Sequence, residues 1–124
     1  MRLWHEELLD EIPRQQLLGQ HRECCALRGK GWGKKHATVD YVFTYSPYKL
    51  YQYHLKVMDE MKRRGYKNDS LWEDSLYRGK SCEPYESLEA IEETSPLYPE
   101  HDDHYLEECL LNLRAKGIEI KKDA

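Results

Sequence analysis

The sequence predicts a mainly α-helical protein, in which three helices and long irregular loops form a single domain over residues 1–124. Three segments repeat apolar residues at the three- and four-residue spacing of an amphipathic helix, and each has its own start and stop signals. No segment offers a convincing pair of strands. The chain length of 124 residues suffices for one modest core. Packing of helices is therefore the expected way to bury apolar surface.

The first helix is predicted to run from Pro13 to about Leu27. The fixed φ of proline suits a first helical turn. The helix should stop at Gly29–Gly33, because three glycines in five residues lose too much backbone entropy to stay helical. One stripe of this helix contains Leu17, His21, Cys24 and Arg28, with Leu18 and Cys25 beside it. Another flank contains Glu23, Gln16, Gly19 and Ala26, whose small members leave access for a bulky group.

The second helix is predicted to start at Pro47, with Ser46 as its N-cap, and to stop at the basic turn Arg63-Arg64-Gly65. Its apolar face consists of Leu50, His54, Val57, Met58 and Met61.

The third helix is predicted from Asp102 or Asp103 to just before Gly117, with basic residues in its last turn. Its buried stripe consists of Leu106, Cys109, Leu110 and Leu113.

Two stretches between the helices are irregular. Residues Ala37–Tyr45 are rich in β-branched and aromatic side chains and are expected to be extended. Residues 66–100 contain three prolines and many polar residues, with one short helix expected at Ser87–Glu93.

Composition predicts a cytoplasmic protein. There is no run of 18 or more apolar residues that would span a membrane. The chain also turns acidic at Glu6 and Glu7, where a signal peptide needs an apolar stretch. The four cysteines lack the paired C-x-x-C spacing of a zinc site and are interpreted as small buried apolar residues in a reducing compartment.

The charges are distributed unevenly along the chain. Residues 1–67 contain 13 Lys/Arg against 8 Asp/Glu, whereas residues 68–124 contain 6 against 15. This asymmetry indicates either one basic face and one acidic back, or an uneven scatter over a solvated surface.

Residues 14–35 are the most basic segment, with Glu23 as their only carboxylate. Cations contact phosphates, and a tryptophan offers a face on which a base can stack. The residues predicted to bind DNA are Arg14, His21, Arg28, Lys30, Trp32, Lys34, Lys35 and His36. The alternative is an ordinary charged helix with Trp32 in the core, in which Glu23 simply pairs with an arginine.

The order Gln15-Gln16-Leu17-Leu18-Gly19-Gln20-His21-Arg22-Glu23, followed by Lys34-Lys35-His36, resembles the first helix of the pyrimidine-dimer DNA glycosylase/AP lyase family, of the endonuclease V type. The segments Tyr45–Leu50 and Met61–Tyr66 are similar to that family's second helix and the turn after it. The likeness covers most of residues 13–67. It is closest to a small bacterial branch of the family.

The resemblance implies a DNA repair glycosylase, possibly with AP lyase activity, that flips a damaged pyrimidine out of double-stranded DNA. Its nucleophile would be the free α-amine of the chain, which forms a Schiff base with the sugar C1′. The glutamate that matches Glu23 would stabilise this intermediate, and the arginine that matches Arg22 would contact substrate. No cofactor or metal is expected, and the protein is expected to act as a monomer.

Two departures from the family bear on the catalytic assignment. Phage members lose the initiator methionine, but aminopeptidases generally spare a methionine that precedes a residue as large as Arg2. The amine would then belong to Met1, or to Arg2 if processing occurs, and on Met1 it is displaced by about 3.5 Å of chain. In addition, residues 118–124 lack the aromatic-lysine segment that engages the lesion in the family.

Other functions remain open on the sequence. One is a nucleic-acid-binding module that keeps the fold without the chemistry. Another is a metal-dependent hydrolase with a site at His101 and His104, which stand three apart at a helix start and on which His21, His54 and Glu23 could converge. The last is an unrelated helical interaction protein.

Overall fold

The computed structural model describes residues 2–34 and 38–121 of the chain. Three α-helices organise these residues: α1 (Arg14–Arg28), α2 (Pro47–Arg63) and α3 (Asp103–Ala115). Short 3-10 helices lie at Glu6–Leu8, Asp40–Thr44 and Ser70–Glu73. The described part of the chain contains no β-strand, so the mainly α prediction with three helices is confirmed. None of its helices combines the length and apolarity needed to cross a membrane.

Each helix begins where the sequence predicts. Pro13 precedes the first residue of α1 in extended conformation. The Ser46 hydroxyl accepts a hydrogen bond from the N–H of Tyr48 at 3.1 Å, and Asp102 accepts one from the N–H of Tyr105 at 2.8 Å. These bonds satisfy N–H groups that a helix leaves without an internal partner, which is why the sequence located both starts correctly.

The core forms where the helices present their predicted apolar faces. These faces predict a core of twelve residues. Eleven of them are buried: Leu17, Cys24, Leu50, His54, Val57, Met58, Met61, Leu106, Cys109, Leu110 and Leu113. The twelfth, Leu18, is partly buried and packs against them. The N-terminal segment and the loops add further buried apolar residues: Leu3, Leu8, Leu9, Ile12, Val39, Val42 and Leu97.

The stretch Ala37–Tyr45 is not extended as predicted, and Ala37 lies outside the described residues. Asp40–Thr44 forms a 3-10 helix instead. Val39 and Val42 are both fully buried, and the N–H of Val42 donates to the carbonyl of Val39 at 3.0 Å. A spacing of three places both valines on the same side of a 3-10 turn. Burial of this pair therefore outweighs the β-propensity of the segment.

The short helix predicted at Ser87–Glu93 is also absent. The carbonyl of Ile91 accepts a hydrogen bond from Gln52 Nε2 on α2 at 2.9 Å, so it is bound by a side chain of another element. Lys49 of α2 is buried as well, and its ammonium donates to the carbonyl of Leu97 at 2.5 Å. Polar side chains of α2 thus hold residues 91–97 against the core without regular structure.

The cysteine prediction is half confirmed. Cys24 and Cys109 are buried, whereas Cys25 and Cys82 are partly exposed, and all four are free thiols.

Candidate active site

The extended segment of residues 2–4 is bound to α1 by a single buried side chain, Gln20. Its amide nitrogen donates to the carbonyl of Arg2 at 3.1 Å, and its amide oxygen accepts from the N–H of Trp4 at 2.7 Å. Gln20 is only 1% exposed. The two bonds use both ends of one amide, so they fix the segment in register as well as in position.

Two tyrosines bind the same segment from the other helices. The hydroxyl of Tyr53, on α2, donates to the carbonyl of Trp4 at 2.6 Å and lies 3.1 Å from the amide oxygen of Gln20. The hydroxyl of Tyr105, on α3, donates to the carbonyl of Leu3 at 2.6 Å. All three helices therefore hold residues 2–4. They do so through polar side chains, which the apolar pattern of the sequence does not reveal.

This segment forms one wall of a cavity of about 350 Å³. The cavity is lined by Arg2, Trp4, Gln16, Gly19, Gln20, Glu23, Thr38, Asn112 and Lys116. The predicted flank of Glu23, Gln16 and Gly19 thus opens into a space, as its small residues suggested. Asn112 and Lys116 bring the last turns of α3 to the same cavity.

Glu23 is the only carboxylate among the residues that line the cavity. Its Oε2 atom is buried and has no hydrogen-bond partner among the described residues. Burying an ionised oxygen without a partner costs free energy, and a cation bound in the cavity would recover it. The alternative that Glu23 is consumed by an ion pair with an arginine is not supported, because the described residues contain no such pair.

The cations near the cavity are held by aromatic rings. The guanidinium of Arg2 lies 5.8 Å from the ring centre of Trp4 and 5.9 Å from that of Tyr105. The ammonium of Lys116 lies 5.4 Å from the Trp4 ring. Arg22 is exposed, and its Nη2 atom would lie 3.7 Å from a Cβ added to Gly19, which places it beside the cavity. Cations therefore lie around Glu23, and one of them, Arg2, is also paired with Glu108 at 3.8 Å.

The predicted DNA-binding residues differ in how far their side chains are exposed to solvent. Arg14, Lys30 and Lys34 are exposed, and His21 is partly exposed. Trp32 is partly buried, and its ring lies in a T-shaped arrangement with that of Phe43, with ring centres 5.0 Å apart. Met1, Lys35 and His36 lie outside the described residues.

Arg28 is 5% exposed and serves the fold. Its guanidinium donates to the main-chain carbonyls of Trp72 at 2.7 Å, Asp74 at 2.8 Å and Tyr77 at 3.2 Å. It also lies 5.0 Å from the ring centre of Trp72. Because its donors are used inside the protein, the structure argues against the predicted phosphate contact, and we leave Arg28 out of the DNA surface. Its position on the same stripe as Leu17 and Cys24 already indicated burial.

His21, Cys25 and His54 bring three potential metal ligands within 4.8 Å of one another. His21 Nδ1 lies 2.8 Å from His54 Nε2, and Arg28 Nη1 lies 2.9 Å from His54 Nδ1. Since arginine has donors only, His54 Nδ1 must accept, and its proton resides on Nε2 and is donated to His21. Burial, reinforced by the charge of Arg28, lowers the pKa of His54 to about 2. The lone pair that a metal would need on Nε2 is therefore not available in this arrangement.

The metal site considered for His101 and His104 is not supported. His101 is buried, stacks on His5 at 5.5 Å between ring centres, and shares a 2.7 Å hydrogen bond with the hydroxyl of Tyr41. His104 is exposed. Within the described residues, the cluster around His21 is the only close group of three ligands. Packing of aromatic rings, not a ligand set, explains His101.

A protein-family model described as pyrimidine dimer DNA glycosylase matches residues 1–74. The matched range contains α1, α2 and the Gln20 contacts to residues 2–4. Searches of curated proteins and of solved structures give no match.

Proposed function

Because the chain belongs to the pyrimidine dimer DNA glycosylase family, we propose that it excises damaged pyrimidines from double-stranded DNA through a Schiff base formed by its N-terminal amine. The family makes the protein a DNA repair glycosylase with DNA as its substrate. The AP lyase step and the identity of the nucleophile are the finer parts of the proposal.

The observation that supports this mechanism best is the buried oxygen of Glu23 in a cavity whose wall is the N-terminal segment. Attack of the amine on the sugar C1′ breaks the glycosidic bond, and the base leaves and takes up a proton. Cleavage of the C1′–O4′ bond, with a proton passing to O4′, then opens the sugar ring and creates a cationic imine. An unpaired carboxylate next to that position stabilises the imine and assists the β-elimination that breaks the strand. Arg22, exposed beside the cavity, is assigned to contact substrate.

The chemistry of the α-amine suits this role. Its ordinary pKa is about 7.7–8.0, well below that of lysine, so a useful fraction is unprotonated at neutral pH. Cations nearby favour the neutral, nucleophilic form. The Gln20, Tyr53 and Tyr105 contacts to residues 2–4 supply the fixed geometry that an amine nucleophile needs.

Borohydride trapping on duplex DNA with an abasic site tests the nucleophile. A Schiff base should be reduced to a stable protein–DNA adduct, with the crosslink at Met1, or at Arg2 if Met1 is removed. Acetylation of the N-terminus should abolish the adduct, because an amide nitrogen does not form an imine. Trapping that survives acetylation would move the nucleophile to a lysine, of which Lys116 lines the cavity. Absence of any adduct would favour a nucleic-acid-binding module without chemistry.

Glu23→Gln tests the carboxylate. We expect strand scission to fall by about 100-fold or more, while duplex affinity stays within threefold, because the variant removes the charge but keeps the size. Glu107→Gln, an exposed position on α3, is the matched control and should change neither. Equal loss of binding and scission in Glu23→Gln would instead indicate a structural role.

A further inference from the structure

A second cleft of about 350 Å³ lies at the C-terminal end of α1, outside the Glu23 cavity. The turn Gly29–Gly31 forms one side, and residues 78–82 from the second half of the chain form the other. We call it the Lys30–Lys80 cleft. The acidic balance of residues 68–124 gave no reason to expect this segment near the basic first half.

The cleft is positively charged. Its charged lining residues are Lys30, Arg78 and Lys80, and no carboxylate lines it among the described residues. Lys30 and Lys80 are exposed, so both ammonium groups are available to a ligand. A concentration of cations without anions in one concave surface attracts an anionic ligand.

Arg78 makes the two sides of the cleft one rigid unit. Its guanidinium donates to the carbonyls of Arg28 and Gly29, both at 3.0 Å. A Cβ added to Gly29 would lie 2.9 Å from the carbonyl oxygen of Arg78, so the two segments of the chain approach as closely as glycine permits. Gly79 has a φ of +91°, a conformation that favours glycine. The spacing between the two lysines is therefore set by the backbone.

A fourth cation lies behind the cleft. The buried guanidinium of Arg28 is 5.0 Å from the ring centre of Trp72, which lines the cleft. Its charge adds to those of Lys30, Arg78 and Lys80.

The exposed face of α1 connects the two cavities. Ala26 lines the Lys30–Lys80 cleft, and Arg22, one turn earlier on the same face, lies beside Gly19 of the Glu23 cavity. Lys30 lies two residues beyond Arg28, the last residue of α1.

We propose that the Lys30–Lys80 cleft binds a backbone phosphate of the DNA substrate, away from the damaged base, so that the second half of the chain contributes to the DNA interface. The inference rests on the proposed function and adds a binding site to it.

The test measures affinity for undamaged duplex DNA as a function of salt for the full-length wild type, Lys30→Ala, Lys80→Ala and the double variant. Loss of the phosphate contact should reduce the log–log salt slope by about 0.9 in the double variant, and each single variant should show part of this reduction. The affinity lost between 50 and 200 mM salt should thus become about threefold smaller in the double variant. Lys67→Ala, an exposed lysine that lines neither cavity, is the matched control.

Two outcomes of this experiment would contradict the inference. A Lys80→Ala slope equal to that of wild type or of Lys67→Ala overturns the inference. Stabilisation by inorganic phosphate that is lost in Lys80→Ala, with an unchanged DNA slope, also overturns it and assigns the cleft to a small phosphate ligand. The proposed function is checked separately, because trapping on an abasic site at low salt reports the Glu23 cavity whatever Lys80 does.

Discussion

Two buried polar side chains of α1, Gln20 in its middle and Arg28 at its C-terminal end, each bind the main chain of an irregular segment. Gln20 binds the main chain of residues 2–4, and Arg28 binds the carbonyls of residues 72–77. In both cases one side chain replaces the hydrogen bonds that regular structure would have supplied to a buried backbone. We call them the Gln20 clamp and the Arg28 clamp.

The two clamps differ in charge and in what lies beside them. The neutral Gln20 clamp borders a cavity in which a carboxylate oxygen of Glu23 has no partner among the described residues. The charged Arg28 clamp is enclosed by Trp72 and His54, and its donors are consumed by the fold. The Gln20 clamp therefore indicates a site of chemistry, because an unpaired oxygen of Glu23 lies in the cavity beside it. The Arg28 clamp indicates a role in stability, because its donors are paired within the fold.

Arg28→Ala should have the largest effect on stability. The change leaves three carbonyls and His54 without their donor, and we expect the free energy of unfolding to fall by about 3–5 kcal/mol. Arg28→Lys should recover only part of this loss, since one ammonium does not reproduce the planar fork. Chemical denaturation measures both. Arg22→Ala, an exposed arginine on the same helix, is the control, and an equal small loss in the two alanine variants would contradict the Arg28 clamp.

Gln20→Ala breaks the other clamp and should affect chemistry more than fold. Release of residues 2–4 should slow borohydride trapping by about 10- to 100-fold, because a displacement on the order of 1 Å costs that much in catalysis. The salt slope of duplex binding should not change, since Gln20 is buried. Gln15→Ala, exposed on α1, controls for the loss of an amide. A trapping rate in Gln20→Ala that matches wild type would show that the N-terminal segment does not depend on this contact.

Acidification should loosen the Arg28 clamp through His54. Burial lowers the pKa of His54 to about 2, so the folded protein keeps the imidazole neutral while the unfolded chain takes up a proton below its ordinary value of 6.5. The contribution of His54 to the free energy of unfolding is therefore fully present above pH 6.5. It falls as the pH drops towards 2, by up to about 1.4 kcal/mol per pH unit. His101, whose pKa burial lowers to about 3, acts in the same direction.

Denaturation curves between pH 7 and pH 5 measure this effect. His54→Gln should flatten the pH dependence by about half, because one of the two histidines with a strongly lowered pKa is then removed. His104→Gln, at an exposed position on α3, should leave the curve as in wild type. A pH dependence that is identical in His54→Gln and wild type would exclude this histidine as the cause.

The helices and most of the core are predictable from local patterns of residues. Ser46, Pro47 and Asp102 fix the helix starts through local hydrogen bonds and a preset φ, which do not depend on distant contacts. The apolar spacing identified the buried faces for the same reason, since helical periodicity is a property of the segment alone. The flank of Glu23 with Gly19 and Gln16 was visible on that basis.

Which polar residues are buried, and what they bind, depends on how the elements pack together. Arg28 and Arg22 are the same residue type on the same helix, yet one is enclosed by a loop more than forty residues away and the other is exposed. Gln20, Tyr53 and Lys116 meet at the N-terminal segment or the Glu23 cavity from three different helices. Lys80 likewise lies in the cleft beside Lys30 only because Arg78 binds its own segment to the turn after α1. Such long-range pairings arise from the packing of elements, which no local pattern of residue types encodes.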